Sequence, residues 1–342
     1  MYCKLNRIFW VILNTSQFVK TTKNKQMKIT KVWLVVLSFL LGVSTSLKAE
    51  SDIVPFIVGG NDAPANYPWM AQVFLGSSRC GGVLIGERWV LTAAHCTFDS
   101  SRLNRTIAAS EVKVLLGNYQ FANSAHPDAL QVSEVYQHPS YVNPSDSGPA
   151  FDYDVSLLRL TEAQSVTPVI LNANKVTDAL NIGGFMQVVG FGRTNTDPLN
   201  PIYPDVLQQG NLSLISESRC EDEWSASSIT EQMFCAYGTN QDACSGDSGG
   251  PVFIEEQEQH RLLGLVSWGN LSCQGSAGVY TDIGTVCTWI TDTASIAGDS
   301  SLNCSIADTP SSSGGGASWW LLILGLPLWL LRRPSKAQHF KR

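Results

Sequence analysis

The sequence predicts an all-β protein, a barrel or a sandwich, and three observations carry that expectation. Short apolar runs recur from Ile57 to near Ala297, among them Val83-Leu84-Ile85 and residues 112–116, 155–160, 186–189, 212–215 and 262–266. Gly, Pro, Asn and Asp separate these runs, as strand boundaries require. Helical periodicity is scarce, and residues 286–296, at the end of the domain, are the one good helical stretch. Composition agrees: with 44% hydrophobic and 15% charged residues, the chain fits a β-rich extracellular protein better than a charged helix bundle. Its 342 residues suffice for one large or two ordinary domains with a full core. A net charge of -6 gives no reason to propose nucleic acid as a partner. Nine cysteines without a CxxC pair point to disulfides and an oxidising compartment.

Residues 1–26 carry an apolar patch (8–13) followed by the polar run Thr21-Thr22-Lys23-Asn24-Lys25-Gln26. From Met27 the pattern is that of a secretory signal peptide, 27–49. Lys28 and Lys31 form a basic start, 32–43 an apolar centre, and cleavage falls near Ala49 or, as the second choice, Ser46. Translation is accordingly expected to start at Met27, with 1–26 a mis-assigned start or an unusually long leader. Cys3 then belongs to no mature disulfide.

Beyond Ala297 the composition changes. Residues 298–316 read as a Ser/Gly-rich linker. Residues 317–331 carry no charge and include Trp319, Trp320 and Trp329; Arg332-Arg333 and a basic tail, 332–342, follow. As a helix the apolar run spans roughly 22 Å against a hydrocarbon core of about 30 Å, short for a permanent anchor. The tryptophans and arginines nevertheless sit where interfacial anchors would.

The densest chemistry lies in Asp242-Ala-Cys-Ser-Gly-Asp-Ser-Gly-Gly-Pro251. Ser248 follows an acid, Asp247, and stands among Gly246, Gly249 and Gly250. Such glycines supply unusual backbone angles and room for a substrate, so that the amides of Gly246 and Ser248 can point at one spot. The competing reading is a surface Gly/Ser turn. A base is available in Leu91-Thr92-Ala93-Ala94-His95-Cys96, where the cysteine can pin the histidine's loop; His126, His138, His260 and His339 lack such a setting and are expected at the surface. An acid is available in Asp154, directly before an apolar strand, where a buried carboxylate can fix the tautomer of a histidine. Asp152 is the neighbouring alternative, expected to be solvated.

The order His95, Asp154, Ser248, set in TAAHC, DYDVSLLRL and GDSGGP, resembles the trypsin/chymotrypsin family of serine endopeptidases from Ile57-Val58-Gly59-Gly60 to the terminal helix. The resemblance implies a protease domain over 57–297, built as two packed six-stranded antiparallel β-barrels with a C-terminal helix and an active site in the cleft between them. It implies Ser248 as nucleophile, His95 as general base and later acid, and Asp154 as its orienting group. The Gly246 and Ser248 amides would form the oxyanion hole, and Ser267, in Val266-Ser267-Trp268-Gly269, would lie beside the buried aspartate. Asp242 matches the base of the primary specificity pocket, with Ser267, Trp268, Gly269 and Gly278 on its walls; a surface acid is the alternative. An aspartate at the bottom of such a slot favours arginine or lysine.

The same resemblance makes Ile57 a new N-terminus that pairs with Asp247, and 50–56 a short propeptide. Here the chain departs from the family pattern, because Phe56 stands where a basic residue is usual. Some other activating protease, or a cut elsewhere followed by trimming, is then required. The implied disulfides are Cys80–Cys96, Cys220–Cys235 and Cys244–Cys273, which leaves Cys287 and Cys304 to pair with each other. No cofactor or metal is implied, since 117–131 lacks an acidic calcium-loop pattern. The expected protein is a monomer acting on protein or peptide substrates. Its tail, Ser313-Gly314-Gly315-Gly316 before the apolar run, resembles the GlyGly-CTERM sorting signal of Gram-negative bacteria. That resemblance implies trimming by a rhomboid-type protease and export by type II secretion; a plain membrane anchor is the alternative. The competing functional readings are a catalytically silent relative that acts as a binding protein, and a protease of different primary specificity.

Overall fold

The computed structural model of the chain describes residues 57–239 and 241–305. The readings of a leader, a signal peptide, a propeptide, the hydrophobic segment 317–331 and the basic tail, with Cys3 and His339, lie outside the described residues.

Strands β1 to β15 run in chain order from Asn61–Asp62 to Cys304–Ser305. Six of them, β2 (Met70–Leu75), β3 (Ser78–Gly86), β4 (Trp89–Thr92), β5 (Val112–Leu116), β6 (Leu130–Gln137) and β7 (Ser156–Leu160), close a barrel in the order β2-β3-β4-β7-β6-β5. Its first hairpin turns at Gly76-Ser77, where Gly76 takes φ 59, a left-handed angle that suits glycine. A second closed barrel is built from β9 (Phe185–Gly190), β10 (Gln208–Leu214), β11 (Met233–Tyr237), β12 (Pro251–Glu256), β13 (Gln259–Trp268) and β14 (Gly278–Asp282). All of its ladders are antiparallel, and β12 closes it by pairing with both β13 and β9. The fold is therefore two six-stranded antiparallel barrels with a C-terminal helix, as expected. Every apolar run read from the sequence falls on a strand, to within a residue at its ends.

The terminal helix, Ile283–Ile296, begins three residues before the periodic stretch read from the sequence. The reason is its cap: the Asp282 side chain accepts from Gly284 N at 3.0 Å and from Val176 N at 2.9 Å. Its buried face, including Val286 and Ile290, joins one apolar cluster with Trp89 and Leu157 of the first barrel.

Two sequence expectations need correction. Residues 298–305 do not behave as linker. Leu302 is buried, Trp89 Nε1 donates to Asp299 Oδ2 at 2.9 Å, and β15 pairs in parallel with β8 (Ile170–Asn172). The Ser/Gly-rich composition hid a return strand held by Arg261, whose guanidinium bonds Ser305 O at 2.8 Å. Nor is His138 a surface residue: it is 8% exposed, stacked on Tyr153 at 4.4 Å and 4.7 Å from Trp289. Burial pushes its pKa down to about 4, so the ring is neutral at pH 7 and fills apolar space. His260 is half-buried against Tyr67 and Phe253, whereas His126 stays partly exposed.

All four expected disulfides form: Cys80–Cys96, Cys220–Cys235, Cys244–Cys273 and Cys287–Cys304. The last ties β15 to the terminal helix. Replacing both Cys287 and Cys304 by serine is expected to cost about 2–4 kcal/mol, read as a lower urea midpoint under non-reducing conditions. An unchanged midpoint would mean that the return strand holds without its covalent tie.

Candidate active site

His95 lies in a one-turn helix, Ala94–Thr97, that β4 delivers into the cleft and the Cys80–Cys96 bridge holds. Asp154 sits just before β7 and has no solvent exposure. Its carboxylate collects three donors: His95 N at 2.8 Å, His95 Nδ1 at 2.7 Å and Ser267 Oγ at 2.5 Å. With Nδ1–H donating to Asp154, Nε2 is left as the accepting nitrogen facing the cavity. Burial works against a charge on His95, but the Asp154 carboxylate outweighs it and raises the pKa above the ordinary 6.5. Thr281 Oγ1 donates to the Asp154 backbone carbonyl at 2.9 Å, a contact no sequence motif announced. Phe151, which meets His95 edge-on, and Tyr153, which stacks on His138, flank this acid's approach with left-handed angles, φ 65 and 52, which L side chains rarely adopt. Asp152 stays partly exposed and accepts from Thr230 Oγ1 at 2.7 Å, apart from His95.

Ser248 and His95 line one cavity of about 370 Å³, together with Asp242, Ser267, Trp268, Gly269 and Gly278. Their side chains share this cavity without a hydrogen bond to each other, and contacts of this kind tighten when a substrate binds. The amides around Ser248 divide in two. Those of Asp247, Gly249 and Gly250 donate to Cys244 O, Val266 O and Asp247 O, while those of Gly246 and Ser248 have no acceptor among the described residues. Gly246 (φ 104) and Gly249 (φ 76) make this loop shape possible. The serine loop also presses directly on the first barrel. Gly81 N donates to Ser248 O at 2.8 Å, and a Cβ on Gly81 would fall 2.7 Å from Gly250 Cα.

Asp247 points away from the cavity and is fully buried. Gly192 N donates to its Oδ1 at 2.7 Å and Cys244 N to its Oδ2 at 2.9 Å. Burial raises its pKa to about 6 despite those amides. The Ile57 side chain is fully buried in the core of the second barrel, and Val58 bridges Asp242 through Asp242 N to Val58 O at 3.0 Å.

Asp242 is 9% exposed, its Oδ1 lies beside the Tyr280 hydroxyl, and no cation pairs with it among the described residues. Burial pushes the carboxyl up to about 8. Glycine walls leave the slot open: a Cβ on Gly269 would lie 3.7 Å from Gly278 Cα, and one on Gly278 would lie 3.0 Å from Asp242 Oδ1. Trp268 stacks on Phe151 at 6.1 Å and meets Trp224 edge-on at 5.0 Å, and Cys244–Cys273 joins the slot's floor to its far wall. Of the site residues read from the sequence, His95, Asp242, Ser248, Ser267, Trp268, Gly269 and Gly278 line this cavity, Asp154 is bonded to His95 behind it, and Cys220–Cys235 and Cys287–Cys304 line none of it. Those the sequence did not reveal are Tyr280, Thr281, Phe151 and the Gly192 amide, none of which carries a motif of its own. Cys80, His95 and Cys96 lie close enough to share an ion, but both sulfurs are spent in a disulfide. A larger groove of about 1060 Å³ lies elsewhere, lined by Phe185, Glu255 and Arg261 among others, and shares no residue with this cleft.

Two barrels with a buried aspartate, a histidine and a serine meeting at their cleft define a chymotrypsin-fold serine hydrolase site. The sequence model of the trypsin family matches residues 57–290, and the chain belongs to that family of serine proteases. It is 38% identical to human kallikrein-12 over 69% of this chain and 90% of that protein. It is 33% identical to anionic trypsin of Canis lupus familiaris over 76% of this chain and 97% of the relative. Clotting factor C of Tachypleus tridentatus is 34% identical over 71% of this chain, which spans only 26% of that larger protein.

The raised carboxyl of Asp242 makes a stability prediction. At acid pH the carboxyl is protonated in both states. Between about pH 4 and 8 the unfolded chain gives up this proton while the folded one keeps it, so wild-type stability falls with rising pH. Asp242→Asn lacks that loss, and its thermal midpoint relative to wild type is expected to climb from pH 5 to pH 8. A constant difference across that range would mean that the folded carboxyl titrates normally.

Proposed function

We propose that the chain is an exported serine endopeptidase, made as a zymogen, that hydrolyses peptide bonds after arginine or lysine. The observation that carries this reading is Asp242: a buried acid with no cation paired to it among the described residues, at the floor of a cavity whose mouth holds Ser248 and His95. A guanidinium or ammonium entering the slot would supply the missing partner and place that residue's own carbonyl beside Ser248.

Ser248 Oγ then attacks that carbonyl while His95 Nε2 takes its proton. Asp154 holds the ring in the correct tautomer and stabilises the imidazolium. The oxygen that becomes negative is received by the Gly246 and Ser248 amides, neither of which has an acceptor among the described residues. His95 returns its proton to the departing amine, and water, activated by the same histidine, releases the acyl group. Activation follows from the Asp247 environment: a free ammonium at Ile57 would pair with a carboxylate that burial otherwise disfavours. Because Phe56 precedes Ile57, a protease of different specificity performs that cut.

The four disulfides and the relatedness to a clotting factor support an extracellular location. No helix among the described residues is long and apolar enough to cross a membrane. The segment reading 27–49 as a signal, and the glycine-led tail trimmed by a rhomboid-type protease before type II secretion, complete the proposal. Mass spectrometry of both mature termini tests it.

A fluorophosphonate probe is expected to label Ser248 in protein whose N-terminus is Ile57, and absence of labelling would leave the silent binding protein as the better reading. Ser248→Ala is expected to lower kcat by about 10⁶-fold with an unchanged unfolding midpoint. Protonation of His95 removes the base, so kcat/KM should fall as pH drops, with a midpoint above the 6.5 of an ordinary imidazole. A flat profile to pH 4 would exclude His95 as the base. Arginine and lysine substrates should exceed phenylalanine and leucine ones in kcat/KM, and Asp242→Asn should remove most of that preference.

A further inference from the structure

A second recess adjoins the cleft on the side of Gly246. Its volume is about 600 Å³, and it shares Ser245 with the Asp242 cavity, so the two meet at the serine loop. In its wall stands Arg79, the residue before Cys80 on β3. The guanidinium carbon is 3.9 Å from the centre of the Tyr203 ring and 4.2 Å from that of Phe121, so the cation is stacked by aromatic faces. The backbone carrying Phe121 is held on both sides. Phe121 N donates to Asp205 O at 2.8 Å, Gln120 bridges Val206, and Gln72 Oε1 accepts from Ala122 N at 3.1 Å. The Tyr203 ring also packs on the serine loop, with Cε1 3.7 Å from where a Cβ on Gly246 would lie.

This arrangement leaves a cation half-finished. Arg79 is partly buried, and that burial lowers its pKa from the ordinary value, with the Tyr203 hydroxyl and then Asp247 offsetting only part of the loss. It makes no ion pair among the described residues, and no Asp or Glu lines the recess. The acid whose field it feels, Asp247, is committed to the Gly192 and Cys244 amides. Lys113, bonded to the Ser124 carbonyl at the rim, adds positive charge. Stacking covers the faces of a guanidinium and leaves its N–H edge, the part that forms paired bonds to a carboxylate.

We infer that Arg79 is a specificity-determining residue that binds a carboxylate on the leaving-group side of the substrate, within the first three residues after the cleaved bond. The inference rests on the protease reading above. The residue before the bond occupies the Asp242 cavity, so the departing chain must cross Gly246 in the other direction, into this recess. The carboxylate comes either from an acidic side chain or from a substrate's own C-terminus.

The test uses protein with Ile57 at its N-terminus and peptides with one arginine, in which glutamate, alanine or lysine is walked through the three following positions. A further pair ends two residues after the arginine as free acid or as amide. At one position glutamate is expected to exceed alanine in kcat/KM by about tenfold or more, with lysine below alanine. In Arg79→Gln the glutamate-to-alanine ratio should fall to near one, and Arg79→Lys should keep part of it. Because each ratio is taken within one protein sample, loss of folded material does not alter it. A preference confined to the free-acid peptide would identify the C-terminal carboxylate as the ligand. Equal rates for glutamate and alanine at all three positions, with no free-acid preference, would overturn the inference. An arginine anilide with no residue after the bond separates the two levels: if wild type leaves it intact, the protease reading fails. Peptide affinities to Ser248→Ala, measured by fluorescence polarisation, should then still rank glutamate first, and equal affinities would again overturn the role of Arg79.

Discussion

A carboxylate with no solvent exposure is tolerated only where donors replace the water it has lost, and Asp154 is the place where this chain meets that requirement. Its donors come from both halves of the fold. His95 contributes a backbone amide and Nδ1–H from the first barrel, and Ser267 contributes a hydroxyl from β13 of the second. Thr281, from β14, binds the backbone carbonyl of the same residue. The two barrels are therefore joined by the polar group that sets the histidine's tautomer. Packing, orientation and basicity converge on one residue, and the left-handed backbone at Phe151 and Tyr153 is the local cost of bringing it there.

The segment holding Asp242 and Asp247 works on the opposite principle. Both acids are buried without a cation, and both have raised carboxyls, to about 8 and about 6. Asp247 is partly compensated by two amides, whereas Asp242 has only the Tyr280 hydroxyl and a backbone amide beside it. Structures seldom leave such groups unsatisfied unless a ligand completes them. The Cys244–Cys273 bridge and the Val58 contact tie the segment down in the neighbourhood of both acids.

Much of this was readable in the sequence because the chemistry is encoded in contiguous stretches. TAAHC places His95 after a strand, and DYDVSLLRL places Asp154 before one. The glycines around Ser248 announce backbone angles that only a special loop needs. What stayed hidden depends on residues distant in sequence. Thr281 and Tyr280 resemble any strand residues until β14 is laid beside β13 and β11. His138 has the composition of a surface turn and is buried only because Tyr153 and Trp289 close over it. Residues 298–305 read as linker because serine and asparagine signal turns. Their place is set instead by Trp89, Arg261 and a disulfide, which act from other elements.

The contact between Gly81 and Gly250 has a consequence for how such a molecule can change. Two glycine backbones meet there with no room for a methyl group, and Gly81 N holds the carbonyl of Ser248 itself. The spacing between the barrels is thus fixed by atoms that are missing, at the one point where a shift would carry the serine away from the histidine. Rim loops can lengthen or change charge without touching that clearance, and even on β3 a residue such as Arg79 lies two positions away from it. Divergence of substrate preference is left to the periphery, while the distance on which bond cleavage would depend has no side chain through which it could drift.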